Sequence, residues 1–381
     1  MGCVNSTSKK KERRLSGAGP HGDTSHISRD ALQLASIDPD VEERDSNLTG
    51  AIRTETLDYG KFLIDYAYLS QRGYYPDAPN KANQDSFSVI PNLFGESQKG
   101  LFAVFDGHGK DGDLCSIYVK NQLPVNLEKY VKGKEDSEEI QRGLTRAFTV
   151  TNNELHKAPK VDDSLSGTTA IAVLLDGEDM YIANVGDSRA VLASEEGGKL
   201  VAKALSNDQT PYRKDERDRV KACGARVMSM DQIEGFEPLH ENWGQLKLGE
   251  EIDEGGDPPR VWSQYGEYPG TAFTRSLGDA IAEELGVSAE PEIEVRKVAQ
   301  GDKYIIVASD GVFEFITNQA VVDMVDKFQD PLEACRKVIQ EAYDLWLQYE
   351  VRTDDITMVV LKLRAPEQPG AGGGLSTRGV G

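Results

Sequence analysis

Aspartates recur at the ends of apolar runs in this chain: Asp85 before SFSVI, Asp106 after LFAVF, Asp187 after YIANVG, Asp310 after YIIVAS and Asp354 before ITMVV. A single Asp-Gly pair reads as a turn, because both residues dominate turns for local backbone reasons. A set of them at strand ends asks for more. If those strands share a sheet or a sandwich, several carboxylates meet at one end, and their mutual repulsion is severe without counter-cations. Hard divalent ions such as Mg²⁺ or Mn²⁺ prefer an all-oxygen site of this kind and keep positions for water and substrate phosphate.

The stretch LFAVFDGHGKDGD at 101–113 offers two other chemistries, and neither holds. Gly107, Gly109 and Gly112 spell G-x-G-x-x-G, but Asp106 and Asp111 put negative charge where a pyrophosphate belongs. A dinucleotide fold also needs a second strand with an acidic residue ~20 positions later, and residues 114–158 read as helical. As a calcium loop counted from Asp106, the sequence has Asp111 where Gly is required at the sixth position.

The elements that must carry these residues are grouped rather than strictly alternating. Strand candidates are YGKFLIDYAYLS, QDSFSVIP, GLFAVF, TAIAVLL, DMYIANVG, AVLAS, KYIIVAS and ITMVVLKL, β-branched or aromatic and bounded by Gly, Asp or Asn. The spacing predicts a helix over 136–157, capped by Asp136 with Glu139, with Ile140, Leu144, Phe148 and Leu155 on one face. Another starts at Asp330 with Pro331 in its first position, and a charged one runs from about Pro211 to Gly224. Grouped strands and helices argue for an α+β chain and against a doubly wound sheet. From Met228 to about Gly266 the periodicity fades, as in a surface flap.

With 381 residues, 38% of them hydrophobic, the chain can bury a full core. Residues 1–55 and 365–381 are poor in apolar periodicity and are expected to be disordered tails around one domain, 56–364. The formal charge of -21, from 43 basic and 64 acidic residues, makes nucleic acid an unsuitable partner. Cys3, Cys115, Cys223 and Cys335 form no C-x-x-C pair, which fits a reducing compartment. No apolar run approaches the ~20 residues of a membrane span.

The N-terminus, MGCVNSTSKKKERR, matches the M-G-x-x-x-[ST] acceptor for N-myristoylation at Gly2. One acyl chain anchors only marginally. Two further signals lie beside it, Cys3 for palmitoylation and the basic residues Lys9, Lys10, Lys11, Arg13 and Arg14. The expectation is a peripheral protein on the cytoplasmic face of a membrane.

The segments KANQDSF (81–87), VFDGHGK (104–110), SGTTA (166–170), NVGDSRA (184–190), LSNDQTP (205–211), GARV (224–227), TRSLGD (274–279), VASDGVFEF (307–315) and TDDITMVV (353–360) stand in this order. Together they resemble the type 2C metal-dependent protein serine/threonine phosphatases. The resemblance implies a four-layer α-β-β-α sandwich of two mainly antiparallel sheets with flanking helices and a flap at about 212–265. It implies hydrolysis of phosphoserine and phosphothreonine on proteins by a metal-activated water at a binuclear Mg²⁺ or Mn²⁺ centre. Asp85, Asp106, Asp310, Asp354 and the Gly107 carbonyl match its ligands, and Asp187 with Glu314 matches a weaker third metal position. His108 matches a general acid, and Thr168 a residue near the substrate. Many members carry an arginine where Asn80 stands, which leaves Lys81 or Arg72 to meet the phosphate; Gln84 replaces a frequent Glu and Asp355 a frequent Asn. We expect a monomer acting on phosphoproteins. The competing class is a catalytically weak membrane scaffold of the same fold, which the intact carboxylates disfavour.

Overall fold

A computed structural model of the chain describes residues 47–366 apart from Gln245 and residues 253–256. Strands β1 (Leu48–Gly50), β2 (Glu55–Asp58) and β3 (Leu63–Gln71) open one sheet, with β1 and β2 both paired to β3. β4 (Ser86–Ile90) and β5 (Lys99–Phe105) form an antiparallel pair in a second sheet. After the two-residue β6 (Gly107–His108) come helices α1 (Gly112–Tyr130) and α2 (Ser137–Leu155) and the two-residue β7 (Gly167–Thr168). β8 (Ala170–Asp176) and β9 (Asp179–Val185) return to the second sheet, and β10 (Arg189–Glu196) and β11 (Lys199–Ala204) to the first. The flap follows, with α3 (Lys214–Ala222), β12 (Arg226–Met228), α4 (Met230–Ile233), β13 (Arg260–Trp262) and β14 (Pro269–Thr271). β15 (Leu277–Gly278), α5 (Ala280–Glu283), β16 (Glu292–Lys297), β17 (Asp302–Ala308), α6 (Asp310–Phe313), α7 (Asn318–Val325), α8 (Pro331–Tyr349) and β18 (Ile356–Arg364) complete the fold.

The first sheet has the spatial order β1-β3-β18-β17-β10-β11 and the second β16-β9-β8-β5-β4, antiparallel throughout. Side chains alternate between the faces of each strand, and the cores follow that alternation. Phe102, Val104, Ile171, Val173, Leu192, Ile305, Val307 and Val359 fill the layer between the sheets. From the opposite faces, Leu101, Ala103 and Phe105 meet α1 and α2, while Ile306, Met358 and Val360 meet the apolar stripe of α8. The result is the four-layer α-β-β-α sandwich. Phe102 is fully buried in its centre, and truncating such a side chain to alanine costs roughly 3–5 kcal/mol.

The helices start where their caps place them. Asp136 Oδ1 accepts the Glu139 N–H at 3.0 Å, and Asp330 Oδ1 accepts that of Leu332 at 3.1 Å ahead of Pro331. Two features add to the sequence reading. Among the described residues, β1 and β2 include positions before residue 56: LTG of β1 pairs with β3 through its backbone, and only Leu48 of its side chains packs on the core. The flap is a small folded unit, in which β12, β13 and β14 form a sheet over Val220, Ala225, Val227 and Val261. Gly2, Cys3 and the basic run lie outside the described residues. Among the described residues no helix is long and apolar enough to cross a membrane.

Candidate active site

Register explains why distant aspartates meet. Ser86 pairs with Phe105 across β4 and β5, so Asp85 and Asp106 leave that sheet at one end. In the other sheet Ala308 pairs with Met358, and Ser309 N–H donates to the Thr357 carbonyl at 3.0 Å, so Asp310 and Asp354 also leave together. The two ends are joined by Ser309 Oγ, which donates to Asp85 Oδ2 at 2.9 Å. Asp187 sits where the chain passes from β9 in one sheet to β10 in the other.

The charges are in conflict. Burial and then the Asp310, Asp85, Asp354 and Asp187 charges hold the Asp106 carboxyl well above the usual carboxylate range. Burial and Asp355 raise Asp85, although Ser309 donates to it. Asp187 is raised by burial, Asp310, Asp208 and Glu314, and Asp310 is pushed up to about 6 by burial and the Asp354 charge. Among the described residues no lysine or arginine forms an ion pair with Asp85, Asp106, Asp310 or Asp354. Asp85 Oδ1 and Asp310 Oδ1 are buried with no hydrogen-bond partner. Orphaned anionic oxygens at this depth are costly, and an oxygen-preferring divalent cation answers both the repulsion and the missing donors. The donor set therefore fits such ions. Gly107 lies at the same step, where a Cβ would come 2.2 Å from the Gly112 carbonyl oxygen and 2.5 Å from that of Gln84, so only glycine fits.

The short strands β6, β7 and β15 form a separate three-stranded sheet that brings His108 to Asp279. His108 Nε2 lies 2.6 Å from Asp279 Oδ2, and the ring packs 4.4 Å from that of Phe273. Asp279 adopts a left-handed backbone (φ 51°, ψ 48°), a strained conformation that Asp tolerates better than most residues. The close approach of Gly167, whose Cβ would lie 2.2 Å from Asp279 Oδ2, makes room for that carboxylate. Asp279 had no role in the sequence reading beyond its place in TRSLGD; the pairing joins residues 171 positions apart. Thr168 is fully buried, pairs with Gly107, and donates its hydroxyl to the Thr169 carbonyl at 2.9 Å, so it supports the Gly107 strand. Glu314, one residue beyond α6, is exposed and contributes to the rise at Asp187.

Of the two cations left open by the sequence, Arg72 is committed to structure. Its Nη1 donates to the carbonyls of Pro79 at 2.8 Å and Lys81 at 3.0 Å. Lys81 Nζ stands 3.8 Å from the centre of the Tyr75 ring, and the Tyr75 hydroxyl donates to Asp354 Oδ1 at 2.8 Å.

The chain matches the protein phosphatase 2C family profile over residues 80–345. It is 45% identical to the probable protein phosphatase 2C 35 of Arabidopsis thaliana, over 96% of this chain and 99% of that protein. It is 32% identical to the probable protein phosphatase 2C 64 of Oryza sativa subsp. japonica, over 74% of this chain and 62% of that one. The chain belongs to the protein phosphatase 2C family. Its fold is similar to the serine-threonine phosphatase 2C of Toxoplasma gondii (TM-score 0.66, 17% identity, 83% of this chain and 99% of that one). It is also similar to a C. elegans sex determining protein (TM-score 0.61, 20% identity, 80% and 66%).

Two departures of this phosphatase 2C from the family pattern have structural reasons. Gln84 uses its side-chain N–H₂ to donate to the Gly109 carbonyl at 2.8 Å, a bond an ionised glutamate could not make. Asp355 accepts the Gly73 N–H on Oδ1 at 2.6 Å and the Gln84 N–H on Oδ2 at 2.8 Å, whereas an asparagine has one acceptor oxygen. Burial raises Asp355 to about 6, with both amides pulling the other way. The flap is fixed differently, by arginines. Glu216 of α3 accepts from Arg275 at 2.8 Å, Arg219 at 2.6 Å and Thr274 at 2.6 Å, while Arg213 reaches Glu292 at 2.7 Å and Asp215 at 2.7 Å.

Proposed function

We propose that this protein serine/threonine phosphatase works with two Mg²⁺ or Mn²⁺ ions held by Asp85, Asp106, the Gly107 carbonyl, Asp310 and Asp354, with Asp187 and Glu314 at a weaker third position. The observation that carries this reading is the buried, mutually repelling carboxylate set with unpartnered oxygens on Asp85 and Asp310. Bound divalent ions lower the pKa of water and neutralise phosphoryl charge. The chain's own groups do the rest. Lys81 meets the phosphoryl oxygens as a point charge, because an ammonium cannot present the bidentate fork of a guanidinium. Hydrolysis of a phosphoserine or phosphothreonine ester forms a P–O bond to water and breaks the P–O bond to the side chain. His108 gives the departing alkoxide its proton. With Nε2 held by Asp279, Nδ1 is the nitrogen that makes this transfer.

The test is hydrolysis of a phosphothreonine peptide with Mn²⁺, with and without chelator, by the parent and by Asp106→Asn and Asp310→Asn. Losses of on the order of 10²–10³-fold or more are expected, the scale of removing a preorganised charge-stabilising group. Undiminished activity in both variants would sink the two-metal assignment, and an inactive parent would favour a scaffold.

The second part of the proposal concerns place. Gly2 as a myristate acceptor, Cys3 as a palmitate acceptor and the basic run from Lys9 to Arg14 supply the paired signals that stable peripheral anchoring needs. Full-length protein expressed in cells is expected to partition with membranes, and Gly2→Ala to release it. Unchanged partitioning of that variant would remove the lipid anchor from the account.

A further inference from the structure

Residues 72–75 are zipped against residues 353–355. Tyr74 N–H donates to Thr353 Oγ1 at 2.7 Å, Thr353 N–H donates back to the Tyr74 carbonyl at 3.0 Å, and Gly73 N–H reaches Asp355 Oδ1 at 2.6 Å. The segments touch so closely that a Cβ on Gly73 would fall 2.7 Å from the Asp354 carbonyl carbon. This contact delivers Tyr75, 8% exposed, with its two ends at different tasks. The hydroxyl donates to Asp354 Oδ1 at 2.8 Å, the same oxygen that accepts the Asp355 N–H at 2.8 Å, so both bonds leave Oδ2 for another ligand. The ring lies under Lys81 Nζ, 3.8 Å from its centre, in cation–π range.

We propose that Tyr75 is the positioning residue that couples metal holding to phosphate recognition: its hydroxyl orients Asp354, and its ring holds the Lys81 ammonium in place. The inference rests on the metal-dependent reading above. It also answers the departure at Asn80. A lysine on a flexible four-carbon stem is a poor substitute for a preorganised guanidinium, unless something fixes where its charge stands, and an aromatic face at this distance does so.

The two ends of Tyr75 can be separated in the full-length protein. Mn²⁺ affinity is measured by titration calorimetry, and inorganic phosphate is measured as an inhibitor of phosphothreonine-peptide hydrolysis at saturating Mn²⁺. Tyr75→Phe keeps the ring and removes the hydroxyl. It is expected to weaken Mn²⁺ binding about 10-fold, the lower range for groups that orient a metal ligand, with the phosphate inhibition constant within about twofold of the parent. Tyr75→Leu removes both and is expected to raise the phosphate constant as well, approaching the roughly tenfold rise expected of Lys81→Met, which keeps the parent's Mn²⁺ affinity. Parent-like Mn²⁺ affinity in Tyr75→Phe, or equal phosphate constants in Tyr75→Leu and Tyr75→Phe, overturns the coupling. A parent that binds no Mn²⁺ overturns the metal reading itself. If Tyr75→Leu does not fold, the single-oxygen change in Tyr75→Phe still decides the hydroxyl arm.

Discussion

Two groups of acidic residues in this molecule each interact strongly through their charges, and their pKa values move in opposite directions. At the ends of β4, β5, β17 and β18, burial and mutual repulsion hold Asp85, Asp106 and Asp310 above the usual carboxylate range. At the flap, Asp215, Glu216 and Glu292 have ligand oxygens within 4.8 Å of one another, yet all three are lowered. Burial alone would raise Glu216, but bonds from Arg275, Arg219 and Thr274 pull it down to about 2; Arg213 lowers Glu292 and Asp215. By distance alone the flap trio could hold a cation. Its cations are already there, as guanidinium groups. What separates the proposed metal site from a structural clamp is therefore not the number of carboxylates but whether the chain supplies their counter-charge.

The largest effect expected from this contrast is at the clamp. Glu216 is almost fully buried, and its carboxylate is shared by Arg219 and Arg275. Glu216→Gln leaves those guanidinium groups under-compensated, and removing one partner of a buried pair costs on the order of 3–5 kcal/mol. Thermal unfolding is expected to shift down by that amount, while Mn²⁺ affinity at the other cluster stays at the parent's value; a loss of Mn²⁺ binding would mean that the two clusters are not independent. The pH dependence has a definite sign. A folded pKa of about 2 against an ordinary 4.5 means that the unfolded chain binds more protons in that window. The clamp's contribution is thus complete above about pH 4.5 and is lost as pH falls toward 2. Glu216→Gln flattens that acid limb.

The metal-side cluster behaves in the reverse sense, with a smaller magnitude. In metal-free protein, Asp310 has a folded pKa of about 6 against 3.8, so between those values the folded state binds more protons than the unfolded. Stability of the metal-free chain falls as pH rises through that window. Asp310→Asn removes one repelling charge and is expected to stabilise the metal-free protein at neutral pH by on the order of 1–3 kcal/mol, since each pKa unit corresponds to about 1.4 kcal/mol. If the cluster binds Mn²⁺ as proposed, the ion is expected to raise the parent's melting temperature by mass action and the variant's much less. A destabilised metal-free Asp310→Asn would show that the cluster is held together by protons and hydrogen bonds rather than waiting for ions.

The same contrast explains what could be read from the chain beforehand. Asp85, Asp106, Asp187, Asp310 and Asp354 were legible because each ends or begins an apolar strand, and strand termini in a sandwich converge. The caps at Asp136 and Asp330 were legible because they act on residues two or three positions away. The clamp was not legible, since Glu216, Arg275 and Glu292 come from separate elements and a charged helix reads as a solvated face. β1 was missed because three residues that pair through their backbone carry no side-chain period. Tyr75 gave no signal, because its two contacts, Asp354 and Lys81, are defined only once residues 72–75 lie against 353–355.

The smallest effect concerns His108. Its partner Asp279 is buried and bonded to one imidazole nitrogen. Such a carboxylate fixes the orientation of the ring. Asp279→Asn keeps the shape and removes the charge. If His108 gives the departing alkoxide its proton, kcat should fall roughly tenfold or more for a phosphothreonine peptide, whose leaving group needs that proton. An aryl phosphate with an acidic leaving group should lose much less, and Mn²⁺ affinity should be unchanged. Equal losses on both substrates would assign Asp279 to the shape of the β6–β7–β15 sheet instead, because a distorted site slows both reactions whereas a missing proton slows only the one that needs it.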